Sequence, residues 1–187
     1  MRKIYIDVGC GRGGEIRMFF EGGMEDPTGY TAIGIDPIRY KQWEKLAKKY
    51  PVEFINKLAW IKNGKVDFSF IKDRQYSSSM MKLKRDYKQG EIRKERCFDF
   101  PKWFEQFRDD EVIIKMNIEG AETAILREML KRDQIKNIKK LMSELHYGKI
   151  KGDFNYETAL VEKELKKYPC FVVMGEAGYN WLDWRDK

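Results

Sequence analysis

Short apolar runs alternate along this chain with stretches whose apolar residues recur at three- and four-residue steps. Lys3–Val8 is the first run, and Gly13–Phe20 reads as the helix that follows it. Thr31–Ile35 is a second strand, closed by Asp36-Pro37. Between Arg39 and Tyr50, the residues Tyr40, Trp43, Leu46, Ala47 and Tyr50 fall on one helical face, which marks the aromatics as core packing. Pro51 stops that helix, and Val52–Ala59 resumes as a strand. Asn63-Gly64 is a tight-turn signal, so Val66–Ile71 is expected to pair back as a hairpin. Phe98–Phe107 mixes an extended piece with a turn of helix. Val112–Ile118 is almost wholly apolar, as in the buried centre of a parallel sheet. Ala121–Asp133 reads as a helix with Ile125, Met129 and Leu130 inward, Lys140–His146 as a strand and Tyr156–Tyr168 as an amphipathic helix. The end reads as two strands joined at Glu176-Ala177-Gly178.

Such alternation with a closing hairpin predicts one α/β domain over residues 1–187. It is Rossmann-like, a doubly wound and mostly parallel sheet with an antiparallel C-terminal strand. Ligands of such sheets bind at the carboxyl ends of the strands, where the strand order reverses. That directs attention to Asp7–Gly14, Asp36, Leu58–Trp60, Asn117–Glu122 and Glu144–Tyr147.

Composition narrows the class. Of the 187 residues, 42% are hydrophobic and 36% charged, as in an ordinary globular domain. No apolar run approaches the ~20 residues that span a bilayer, so membrane insertion is not expected. Arg2 and Lys3 lead directly into the first strand, which argues against a signal peptide. Cys10, Cys97 and Cys170 are odd in number and far apart, which fits a reducing cytoplasmic compartment and neither a disulfide framework nor a structural zinc site. Net charge is +7, and the segment Lys72–Arg96 holds nine basic and four acidic residues. Residues 72–97 therefore read either as a solvated loop or as a basic flap that attracts an anionic acceptor or a nucleic-acid backbone.

The stretch DVGCGRGG allows two cofactors. Gly9-x-Gly11-x-x-Gly14 is a dinucleotide fingerprint, whereas Asp7-x-Gly9-x-Gly11-x-Gly13 is the loop that holds S-adenosylmethionine (SAM) in methyltransferases. A carboxylate at position 7 would oppose a pyrophosphate and favour a ligand carrying an ammonium and a sulfonium, so SAM is preferred. Asp36, ending the second strand, suits the ribose hydroxyls of either cofactor, or caps the turn before Pro37. Cys10 and Arg12 complete the loop. Leu58 and Ala59 stand where an adenine edge would lie, with Trp60 either stacked on it or buried, and Asn117 joins this cofactor set from its own strand end.

With these positions assembled, the chain resembles the FkbM family of SAM-dependent O-methyltransferases from about Ile4 to Tyr147. The resemblance rests on IDVGCGRGGE, AIGIDP, KLAWIKNGKVDFSF with YSSSM, CFDFPKW, VIIKMNIEGAE and LMSELHY. It implies methylation of a hydroxyl on a sugar, a glycan such as one bearing deoxysugars, or a polyketide-type product, often beside a glycosyltransferase. The chain departs from the family at Gly9-Cys10-Gly11 (usually Gly-Ala-Asn), at Asn117 (usually Asp) and at Trp60-Ile61 (often Ser-Asp). It also begins at the first strand, where members carry a longer amino-terminal region, so it reads either as a single domain or as one domain of a larger polypeptide.

Methyl transfer to an alcohol needs an aligned oxygen and a base for its proton. His146 is the only histidine and sits just past a strand, as a general base or as an imidazole satisfied by the backbone. Glu119 is the other candidate base, or a cap of the next helix, a role open also to Glu122. Lys115 in an apolar strand needs a counter-charge, for which Glu144 is the expected partner. Asn117, Glu119, Glu144 and His146 also have the donor types for Mg²⁺ or Mn²⁺, a possibility left open. Ser77, Ser78 and Ser79 form a turn or a loop over the site, and Trp181 and Trp184 are packing residues or a sugar platform. The alternatives are RNA 2′-O-methylation, a non-catalytic nucleic-acid-binding domain and, last, a dehydrogenase.

Overall fold

The computed structural model describes residues 1–72, 78–81, 90–147 and 153–174. The expected terminal hairpin with Trp181 and Trp184, Ser77, and the most basic part of the expected flap (73–77 and 82–89) lie outside the described residues.

Six parallel strands form the main sheet: β1 (Lys3–Val8), β2 (Tyr30–Ile35), β3 (Val52–Ile55), β7 (Glu111–Met116), β8 (Ile138–Glu144) and β9 (Phe171–Met174). Their order is β3-β2-β1-β7-β8-β9. The order reverses between β1 and β7, which opens a crevice at the carboxyl ends of those two strands. Alternation along each strand sorts the core into two layers. Ile4, Ile6 and Val8 pack with α3 (Phe100–Phe104), α4 (Glu122–Lys131) and α5 (Phe154–Leu165) through Phe100, Ile125, Met129 and Leu165. Tyr5 faces the other way, toward Phe19 of α1 (Gly14–Phe20) and Trp43 of α2 (Gln42–Lys49). The α/β, doubly wound reading of the sequence is thus the observed architecture. Each described strand of the main sheet runs parallel, β9 against β8 included.

The middle of the chain differs from its sequence reading. Val52–Ala59 is two strands, because at Asn56-Lys57 the chain leaves the main sheet and β4 (Leu58–Trp60) enters a second one. That sheet has the order β4-β6-β5, with β5 (Gly64–Phe70) antiparallel to β6 (Glu91–Asp99) and not to β4. Asn63 still ties the turn, but through its side-chain carbonyl, which accepts a hydrogen bond from the Asp99 amide at 3.2 Å. The charged stretch 91–96, expected in a loop or flap, belongs to β6. A strand tolerates such charge because one face of this small sheet is solvated while Leu58, Phe68, Phe70 and Cys97 close its inner face.

Candidate functional site

The loop between β1 and α1 is shaped by contacts that only glycine permits. Gly9, Gly11 and Gly13 all have positive φ (81°, 50° and 80°). A Cβ on Gly9 would lie 2.0 Å from the Asn117 carbonyl oxygen, and one on Gly13 2.4 Å from Leu46 Cδ1. The amides of Gly9 and Cys10 donate to the Ile35 carbonyl, binding the loop to the end of β2. Trp43 Nε1 donates to the Gly11 carbonyl at 2.8 Å, so this α2 aromatic is buried, as expected, and also props the loop.

A cavity of about 550 Å³ opens above this loop at the reversal point. Its walls include Gly9, Cys10, Gly11 and Arg12 from the loop, Asp36, and Leu58 and Ala59 from β4. Lys115, Asn117 and Glu119 line it from β7 and the turn beyond. Asp36 is half-buried, and its carboxylate accepts from the Gly11 amide at 3.0 Å and the Ile38 amide at 2.8 Å. Burial pushes its carboxyl up to about 6, against the pull of those amides. Ser78 and Met80 also line the cavity, and Ser79 Oγ donates to the Glu119 carbonyl at 2.8 Å. Trp60 is absent from the lining and packs against the core clusters of both sheets.

Two expectations about charge do not hold. Asp7 does not look into the cavity: it is fully buried, and its carboxylate meets Lys115 Nζ at 3.0 Å. Lys115 therefore pairs with Asp7 and not with Glu144. The register explains why, since Asp7 stands directly opposite Lys115, while Glu144 lies one strand over and two residues beyond Met142, the register partner of Lys115. Lys115 also donates to the Gly9 carbonyl at 3.3 Å, so the pair anchors the loop from below. Burial pushes the Asp7 carboxyl up to about 6, opposed by Lys115. An Asp7 neutralised in this way no longer discriminates between cofactors. Glu15, half-buried in the first turn of α1, does line the cavity, together with the glycine loop. Its place directly after the glycine loop was the signal that sequence reasoning passed over. Tyr40 was read as core, yet it also lines the cavity.

His146 sits behind the cavity wall with its side chain wholly buried. Its Nδ1 lies 3.2 Å from a Glu122 oxygen, and its Nε2 lies 3.6 Å from Glu119 and 3.5 Å from Glu144. Burial disfavours the imidazolium, but Glu119 and Glu122 outweigh it and push the ring up to about 10. A ring protonated at neutral pH cannot accept a proton, so His146 is not placed as a general base. Its part is to neutralise carboxylates. Neither Glu119 nor Glu122 caps α4, which has no side-chain cap; the Glu122 carboxylate instead accepts from the amides of Ile118 and Gly120, holding the turn in which Glu119 has φ 57°. Glu144 accepts from Asn117 Nδ2 at 2.6 Å. Among the described residues, no group of histidine, cysteine and acidic side chains is arranged to hold a metal ion.

Fold and cavity define a Rossmann-like α/β protein with a cavity at its topological switch point. Compared with family models, curated proteins and solved structures, the chain matches none. No helix among the described residues is long and apolar enough to cross a membrane.

Proposed function

We propose that the protein is a SAM-dependent O-methyltransferase acting on a hydroxyl, as its resemblance to the FkbM family implies. One observation carries the reading. The cavity behind the glycine loop is lined from within by half-buried carboxylates, those of Glu15, Asp36 and Glu119. Such a lining suits a ligand with a cationic amino-acid end and a ribose diol, and it opposes a pyrophosphate. The close seating of the glycine loop, where a Cβ at Gly9 would meet the Asn117 carbonyl and one at Gly13 the Leu46 side chain, supports this reading.

The cofactor supplies an activated methyl group with a neutral sulfide as leaving group. The chain's own residues then have three tasks. Asp36 takes the ribose hydroxyls on the lone pairs left over by its two amide donors. Leu58 and Ala59 cover an adenine edge with apolar surface. Glu119 accepts the proton of the acceptor hydroxyl, with His146 behind it as its fixed counter-charge. The test is label transfer from methyl-labelled SAM to deoxysugar-rich oligosaccharides. Glu119→Gln is expected to lower kcat by roughly 10²–10⁴-fold with little change in S-adenosylhomocysteine affinity. Full activity in that variant would remove Glu119 as the base.

A second reading has its own support. The strand order with a parallel sixth strand is also that of dinucleotide-binding domains, and Gly9, Gly11 and Gly14 fit their fingerprint. NADH binding without S-adenosylhomocysteine binding would favour it.

A further inference from the structure

Three cations stand at the mouth of the cavity: Arg12 on the glycine loop, Lys57 between β3 and β4, and Lys72 after β5. All three are exposed, unlike the half-buried carboxylates deeper in the cavity. None of them is paired with a carboxylate among the described residues. Of the other cations of this region two are compensated, while Lys62, Lys65 and Arg96 have no ion pair among the described residues but do not line the cavity. Lys94 meets Asp67 at 2.6 Å, and Arg93 meets Glu91 at 2.7 Å while covering the Phe70 ring. Like charges gathered from separate segments around one opening repel one another, and a bound anion relieves that repulsion. Arg12 adds a planar fork that matches a phosphate.

We infer that Arg12, Lys57 and Lys72 form a phosphate subsite, and that the methyl acceptor is a small phosphorylated hydroxy compound of the sugar-phosphate class. The identification of the ligand as the acceptor rests on the methyl-transfer reading; the subsite itself does not. A compact anion fits better than an extended polynucleotide. Lys65 and Arg96 are opposite each other in the β5–β6 register and, by alternation from Phe68, lie on the face turned away from the cavity. They do not continue the mouth into a track.

The experiment is a calorimetric titration of inorganic pyrophosphate into the full chain, with and without saturating S-adenosylhomocysteine. It is repeated on the Lys57→Gln/Lys72→Gln variant, whose substitutions are exposed and leave the core intact. Saturable binding that persists with S-adenosylhomocysteine present, and that weakens about tenfold or more in the variant, is the expected result. Three results overturn the subsite: no binding, equal binding by the variant, or displacement of S-adenosylhomocysteine by pyrophosphate. A short single-stranded RNA that binds more tightly than pyrophosphate, and is weakened more by Lys65→Gln/Arg96→Gln than by the mouth variant, overturns the small acceptor. Failure of S-adenosylhomocysteine to bind at all ends the methyl-transfer reading, while the titration without it still reports on the subsite.

Discussion

Asp7 and Lys115 show how far a single residue can be read before its neighbour across the sheet is known. Each was legible as a charge in an apolar strand, and each implied a partner or a ligand. Which partner depends on the register of β1 against β7, and neither strand carries that register in its own sequence. The buried pair now makes a prediction. Asp7→Asn alone leaves an uncompensated ammonium and is expected to cost about 3 kcal/mol or more. Asp7→Leu/Lys115→Met removes both charges and is expected to recover most of that loss in urea unfolding. A double variant as unstable as the single one would show that the Lys115 bond to Gly9, and not the ion pair, holds the loop.

Among the elements, the long periodic ones were legible and the short charged ones were not. Lys3–Val8 has the bounds its apolar run suggests, and α4 lies within one or two residues of its amphipathic stretch. β3 and β4 look continuous in sequence because apolar residues flank Asn56-Lys57, and only the turn between them assigns them to different sheets. β6 was hidden by charge density, since its inner-face period is interrupted by Arg93, whose guanidinium covers the Phe70 ring. The contact between α4 and α5 includes a buried hydroxyl pair, Thr123 and Thr158, at 2.9 Å. Thr123→Val orphans the Thr158 hydroxyl and is expected to cost about 1–3 kcal/mol, whereas Thr123→Val/Thr158→Val lies closer to the wild type. A double-mutant cycle measures the difference, and strictly additive losses would contradict it.

Across the whole molecule, the sheet order places the glycine loop, Asp36 and Asn117 on one cavity, which is why positions at strand ends were readable as a set. The Glu119–Glu122–Glu144–His146 cluster was not readable in that detail, because the ring's charge depends on the carboxylates of Glu119 and Glu122 that the fold brings against it, over the opposing effect of burial. Its folded value lies above the ordinary histidine value, so its stabilisation is complete below about pH 6.5 and is lost as pH rises through about 10. Between about pH 7 and 8.5, before thiols and tyrosines titrate, unfolding free energy is expected to fall by up to about 1.4 kcal/mol per pH unit. His146→Gln should flatten that slope; an unchanged slope would mean that the ring is neutral and open to act as a base. The central claim is the cofactor, and the most direct test is calorimetry of the full chain with S-adenosylhomocysteine and with NADH. We predict saturable S-adenosylhomocysteine binding, weakened about tenfold or more by Asp36→Ala, with no NADH binding. NADH binding in place of S-adenosylhomocysteine would contradict the account.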